Sequence, residues 1–210
     1  MQINFPIIFI LALFIAGLFF SIGYVLAKIA GNTRKEPGKK GFVLWLTGLS
    51  GAGKTTLAEA LYQELKAALP SVEILDGDIV RSLFNNRGFD KESRNEHIKR
   101  MGFISGLLER NGVAVISAFI SPYSEAREFA RSQCHHFIEN YIATPVDEFK
   151  KRDVKGLYRK AEAGEISNFT GVNDPYEEPE NPEIRIDTTG RSVENCAEQV
   201  LRYLRSRSYL

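Results

Sequence analysis

Cysteine is scarce in this chain, and its scarcity narrows the field. The 210 residues hold only two, Cys134 and Cys196. They offer neither a disulfide framework nor metal-ligand spacing, and they suit a reducing compartment. Net charge is nearly absent as well, at +1, which excludes a bulk electrostatic pull toward nucleic acid. No nucleic-acid partner is expected, and no internal repeat is visible. Charge is missing altogether from one stretch, Phe5 to Ala27, 23 residues reading FPIIFILALFIAGLFFSIGYVLA.

As a helix that stretch would measure roughly 35 Å, enough to cross a ~30 Å hydrocarbon core with some tilt. Its apolar residues lie on every side, which excludes an amphipathic surface helix. A cleaved signal peptide would need a basic start and a small-residue cleavage site, and neither is clear. A retained anchor over residues 1–27 is the expectation. Residues 28–40 follow as a basic linker, with Lys28, Arg34, Lys35, Lys39 and Lys40 against Glu36. That local +4 leaves the body at −3 within the total of +1. Positive flanks stay on the cytoplasmic side. The expected location is therefore a single-pass membrane protein with a cytoplasmic body. The linker charges either rest on anionic headgroups or are simply solvated.

What the chain does have is Gly48-Leu49-Ser50-Gly51-Ala52-Gly53-Lys54-Thr55, a G-x-x-x-x-G-K-T phosphate-binding loop. An apolar run of strand length, Phe42 to Thr47, precedes it, and apolar residues at helical spacing follow from Leu57. Glycines let the loop turn its N–H groups onto phosphate oxygens, and the next helix adds its positive end. Lys54 can reach the β- and γ-phosphates, and the Thr55 hydroxyl can ligate Mg²⁺. ATP and Mg²⁺ are the expected cofactors.

The body, residues 41–210, alternates strand and helix. Strands are expected at 72–75, 113–118, 137–143 and 184–187. Helices are expected at 79–85, 91–111, 124–135, 145–152 and 193–205. Strands separated by helices predict an α/β fold, a parallel sheet covered on both faces. Residues 153–182 break the alternation. The segment is polar and proline-rich, and too long for an idle connection, so it reads as a lid or a disordered insertion.

Asp76 and Asp78 follow a strand end, at the sheet edge where ligands bind. Carboxylates there can hold Mg²⁺ or take a proton from a hydroxyl, although Asp-Gly is also a plain turn signal. Arg81, Arg94 and Arg100 are spaced to face one cleft from two helices, and guanidinium forks suit anionic substrates. Phe89 and Phe169 stand in polar surroundings, where they either sandwich a base or pack a loop.

From Gly41 onward the chain resembles adenylylsulfate kinase (APS kinase). The matching stretches are LWLTGLSGAGKTT at 44–56, LDGDIVR at 75–81, FISPY at 119–123 and KGLYRKAEAGEISNFTGVNDPYEEPENPE at 155–183. The resemblance implies a P-loop kinase fold. It also implies phosphoryl transfer from ATP to the 3′-hydroxyl of adenosine 5′-phosphosulfate (APS), a small-molecule nucleotide, giving PAPS in sulfate assimilation. Carried over, Gly48 to Thr55 bind ATP. Lys54, Asp76 and Asp78 are catalytic, with Thr55 and Asp78 at the metal. Arg81 and Arg94 contact the phosphosulfate, and Phe89 and Phe169 stack on its adenine. Lys155, Gly156, Leu157 and Tyr158 belong to the lid. Ser121 matches a serine described in the family as a phosphorylated intermediate, but in-line transfer needs positioning and electrostatics, not a serine relay. The family is commonly dimeric, which makes a homodimer the candidate assembly.

The departures fall on the acceptor side. Ile79 stands where the family has Asn in D-G-D-N-V-R. Ser93, His97 and Lys99 break its D-R-x-x-N-I-R-R pattern, and the loop between Arg81 and Phe89 is one residue short. The membrane segment is also unusual for the family. A different nucleotide acceptor, for example in modifying surface polysaccharide, is the alternative reading. A membrane-tethered scaffold without turnover is a third, opposed by the intact Lys54, Thr55, Asp76 and Asp78 set.

Overall fold

The computed structural model describes residues 40–83, 88–148 and 156–210, apart from the side chains of Asp78, Ser82 and Leu83. The Phe5–Ala27 segment, and the membrane reading with it, lie outside the described residues. Among those described, no helix is long and apolar enough to cross a membrane.

Within the compact unit Lys39–Leu210, the elements follow the alternation of the sequence. They are β1 (Phe42–Thr47), α1 (Lys54–Ala68), β2 (Val72–Asp76), α2 (Gly77–Leu83) and α3 (Lys91–Arg110). Then come β3 (Ala114–Ala118), α4 (Ser124–Ser132), β4 (Phe137–Ile142), α5 (Leu157–Glu162), β5 (Ile184–Ile186) and α6 (Val193–Ser206). Residues 146–148 are helical too. The strands form one parallel sheet in the order β2-β3-β1-β4-β5.

Every residue of β1, β3 and β4 is buried, as expected of parallel strands covered on both faces. Period-two alternation then divides the core. Phe42, Leu44 and Leu46 join Ile116, Ile138 and Ile142 on the face covered by α1 and α6, through Leu57, Leu61, Val200 and Leu204. Val43 and Trp45 join Val115 and Phe137 on the other face, against Ile98, Met101 and Ala130 of α3 and α4. β1 is thus the central strand, and the phosphate loop leaves its C-terminal end between β3 and β4.

Several boundaries differ from the sequence expectation for identifiable reasons. α4 stops at Ser132 and does not reach His135. The buried Glu109 carboxylate accepts the backbone N–H groups of His135 and His136, at 2.7–3.1 Å, which draws the chain out of the helix and into β4. α2 begins at Gly77, directly after Asp76, two residues earlier than expected. α3 ends as predicted near Gly112, whose φ of 80° suits only a glycine-like stop.

The insertion also has more structure than its composition suggests. It carries α5, a bridge between Thr170 and Asp174, and then a strap laid along α4 and β4. Arg127, buried, donates to Ser121 O at 2.8 Å, to Glu139 at 3.0 Å and to Glu177 O at 2.7 Å. Arg131 holds Glu183 at 2.6 and 2.9 Å. These bonds fix residues 177–183 in place, so this half is neither idle nor structureless.

Candidate functional site

The phosphate loop is shaped by one close approach. A Cβ on Gly48, at φ 148°, would sit 2.8 Å from Ile142 O at the end of β4, so only glycine lets the loop leave β1 here. Gly53 precedes α1 in the left-handed conformation. Lys54 Nζ donates to the carbonyls of Gly48 and Leu49, at 2.9 and 2.8 Å. Its ammonium therefore lies across the loop that Leu49, Ser50, Gly51 and Ala52 complete. Thr55 Oγ1 donates to Asp76 Oδ2 at 2.9 Å. This pair joins the first turn of α1 to the end of β2. Two hard oxygens so placed suit Mg²⁺ completed by phosphate and water. Asp78, the carboxylate first paired with Thr55 at the metal, has a side chain outside the described residues. Sequence reading made Asp76 catalytic and left it out of the metal pair. The signal the sequence offered was Asp76's place directly after the expected strand 72–75; the structure makes it the last residue of β2, beside β3.

The residues expected on the acceptor side are carried by α2, α3 and the segment between them. Arg81 on α2 lies over the Phe89 ring, 4.6 Å from its centroid, and Arg94 on α3 lies at 5.6 Å from the same ring. Phe89 is 55% exposed. Arg94, buried, also donates to Phe89 O at 2.7 Å and to Asn168 O at 2.5 Å, and lies 3.9 Å from Asp174. Burial lowers its pKa, opposed by Asp174. Arg94 thus ties the segment carrying Phe89 to the one carrying Phe169, a framework contact that sequence reading did not foresee. Arg100 does not join this cluster as a ligand would. It pairs with Glu96 one turn back on α3.

The departures from the family pattern have local structural accounts. Asp90 is the N-cap of α3, accepting Ser93 N at 2.9 Å and Ser93 Oγ at 2.8 Å, so a serine at 93 closes the cap twice. Lys99 reaches Glu125 at 2.5 Å. His97 is 7% exposed and meets Phe119 edge-on at 5.8 Å. Burial, then the charges of Arg81 and Arg100, hold its imidazole pKa down at about 4. It is neutral at physiological pH, and its Nε2 has no hydrogen-bond partner among the described residues. Ile79 is 67% exposed.

Ser121 is 1% exposed and sits at φ 42°. Its hydroxyl accepts Trp45 Nε1–H at 3.1 Å and donates to Thr47 Oγ1 at 2.8 Å. Thr47 donates onward to Ile120 O at 2.8 Å, so the 2.9 Å contact with Tyr176 Oη has Tyr176 as donor. Burial holds that phenol's pKa above its usual range. Ser121 is therefore a joint between β1, the loop after β3 and the strap. A hydroxyl so enclosed is not placed to carry a phosphoryl group.

In the insertion, Gly156 precedes α5 with φ 64°, and Leu157 begins the helix. Lys155 lies outside the described residues. Tyr158 is buried, donates to Ser50 O at 2.8 Å, and meets Phe169 edge-on at 5.0 Å. Phe169 packs against the core. Tyr123 donates to Asp174 at 2.8 Å, and burial with that carboxylate pushes its pKa up to about 12. A cavity of about 730 Å³ opens between Leu49, Pro145, Val146, Val172 and the two tyrosines Tyr141 and Tyr176. Sequence reading missed the Thr47, Arg127 and Tyr176 contacts. Thr47 at the end of an apolar run was the one local signal; Arg127 and Tyr176 lie in polar stretches that gave none.

Comparison with known proteins places this geometry. A family model described as adenylylsulphate kinase matches residues 40–187. The adenylyl-sulfate kinase of Picosynechococcus sp. is 51% identical over 172 residues, covering 81% of this chain and 97% of that protein. The Mycobacterium tuberculosis APS kinase in complex with AMPPNP and APS superposes with a TM-score of 0.75 at 37% identity, covering 79% of this chain and 98% of the other. A hexameric APS kinase from Thiobacillus denitrificans matches with a TM-score of 0.63 at 32% identity, covering 89% of this chain and 33% of the other.

Proposed function

This chain belongs to the adenylylsulfate kinase family, and we infer that it transfers the γ-phosphoryl group of ATP to the 3′-hydroxyl of APS, giving PAPS. One observation carries the reading. The Thr55–Asp76 pair of the phosphate loop stands at the start of α2, the helix whose Arg81 packs on Phe89 with Arg94. A metal and phosphate side is thus one short helix from an anion and ring side.

The reaction forms an O3′–P bond and breaks the bond from the γ-phosphorus to the β–γ bridging oxygen, releasing ADP and the hydroxyl proton. Lys54 neutralises charge on the β- and γ-phosphates. Thr55 and Asp76 would hold Mg²⁺, which would supply charge neutralisation for the transfer. Asp78 takes the acceptor proton. Arg81 and Arg94 hold the phosphosulfate, and Phe89 and Phe169 enclose the adenine. Lys155, Gly156 and Leu157 close over it with the lid. Release of ADP that depends on APS, with ATP and Mg²⁺, tests the reading. APS-independent turnover, or none, would sink it.

A second reading keeps the transfer and changes the acceptor nucleotide. It is favoured by Ile79 and His97, each standing where the family pattern has Asn. Competition of APS with other nucleotides separates the two.

The proposal extends to location and assembly. Residues 1–27 anchor the chain in the membrane with residues 41–210 in the cytoplasm, supported by the uncharged Phe5–Ala27 stretch and the basic linker. The full chain should pellet with membranes and resist extraction by salt, because apolar burial is not screened. A mature N-terminus near Lys28, or a freely soluble full-length protein, would defeat this. A homodimer is the proposed assembly, read by its mass in solution.

A further inference from the structure

The first half of the insertion touches the phosphate loop at points that the transfer chemistry alone does not require. Tyr158 Oη donates to Ser50 O within the loop at 2.8 Å. The same ring supports Phe169 edge-on, at 5.0 Å and 83°. Nearby, a Cβ on Gly171 would sit 2.9 Å from the Leu49 side chain, so the chain just after Phe169 lies directly against the loop. Tyr158 is buried within the core cluster, which leaves its ring little freedom to respond to one contact without affecting the other.

We propose that Tyr158 is a positioning residue that couples the two substrate sites, transmitting the setting of the phosphate loop to the Phe169 wall of the acceptor site. The proposal rests on the reading of Phe169 as part of the acceptor pocket. The Ser50 carbonyl belongs to the loop whose amides turn toward phosphate. When the loop tightens on ATP, that carbonyl changes position, and the Tyr158 phenol is bonded to it. The edge of the Tyr158 ring then fixes the angle of Phe169. Gly171 against Leu49 keeps the two segments in register. Each ligand is thereby expected to bind better when the other is present, by the same factor in either order.

The test is a coupling measurement in the full-length protein. APS is titrated with and without saturating AMPPNP and Mg²⁺, in wild type and in Tyr158→Phe. The substitution removes only the phenolic oxygen and keeps the ring in the core. The coupling factor, the ratio of the two APS dissociation constants, should fall about five-fold in Tyr158→Phe, the range expected for one hydrogen bond. A general loss of stability would weaken both affinities and leave that ratio alone. An unchanged ratio in the variant overturns the coupling role, and so does a wild type that binds APS equally well with and without AMPPNP. Wild type that binds AMPPNP but no APS overturns the acceptor reading itself, and the coupling with it.

Discussion

Asn140 lies at the centre of the sheet with both ends of its amide unbonded. It is fully buried in β4, and neither its Oδ1 nor its Nδ2 has a hydrogen-bond partner among the described residues. Its strand neighbours are Leu46 on β1 and Ile184 on β5. By alternation it shares a face with Ile138 and Ile142, in the apolar core beneath α1 and α6. Burying an amide without partners costs about 1–3 kcal/mol in proteins. Leucine has the same forked outline, two atoms on Cγ, with no polar atom to desolvate. Asn140→Leu should therefore stabilise the fold by about 1–3 kcal/mol, less whatever repacking the slightly larger methyl groups demand.

For a domain of this size each kcal/mol moves Tm by about 2–4 °C, so a gain of about 2 kcal/mol is a rise of about 4–8 °C. Urea unfolding is the sharper assay. The midpoint should move up with the slope unchanged, because the surface exposed on unfolding is nearly the same. Asn140→Asp provides the opposite control, since an ionised carboxylate there would cost several kcal/mol. A loss of more than about 1 kcal/mol in Asn140→Leu would refute the reasoning, and would mean that an internal water satisfies the amide.

Other outcomes follow from the site. Lys54→Ala should lower turnover by about 10²-fold or more with the fold intact by circular dichroism, since preorganised charge on the phosphates is lost. Near wild-type turnover would dismiss the loop as the ATP site. Phe169→Ala should weaken acceptor binding by about 1–3 kcal/mol and ATP binding far less, read as separate dissociation constants. Equal losses would reduce Phe169 to packing. His97 gives a pH signature. Its folded pKa of about 4 lies below the ordinary 6.5, so the unfolded chain takes up the proton first. Its stability contribution is complete above pH 6.5 and is lost as pH falls toward 4. Comparing pH 7.5 with pH 5, wild type should lose about 2 kcal/mol more stability than His97→Gln. Equal losses would place the imidazole in solvent.

The sequence made the ATP side legible because its chemistry is local. Glycines, Lys54 and Thr55 are contiguous, and an apolar strand before the loop and a helix after it fix how it must lie. β1 was bounded correctly from five apolar residues and the threonine that follows them. The acceptor side was legible only in part, because its parts are far apart in the chain. Phe89 and Arg81 could be named, but not their contact. Arg94 could be named as a ligand, but not as the clamp joining Phe89 O to Asn168 O, residues 79 positions apart. The Thr55–Asp76 bond likewise spans 21 residues, and no local pattern says that Asp76 will meet α1.

That distinction explains where the substitutions in this chain have accumulated. The phosphate loop tolerates no change at Gly48, where a Cβ would collide with Ile142 O, and its Lys54 and Thr55 each meet fixed partners. The departures from the family pattern lie instead on α2 and α3, where the surroundings absorb them. Ser93 completes a helix cap, Lys99 reaches Glu125 from an exposed position, and Ile79 projects outward. His97 alone leaves an unmet need, a neutral buried imidazole with an unpartnered Nε2 close to Arg81. His97→Asn and Ile79→Asn, which restore the family pattern, are therefore the variants that test the alternative acceptor, as Lys54→Ala tests transfer at the loop.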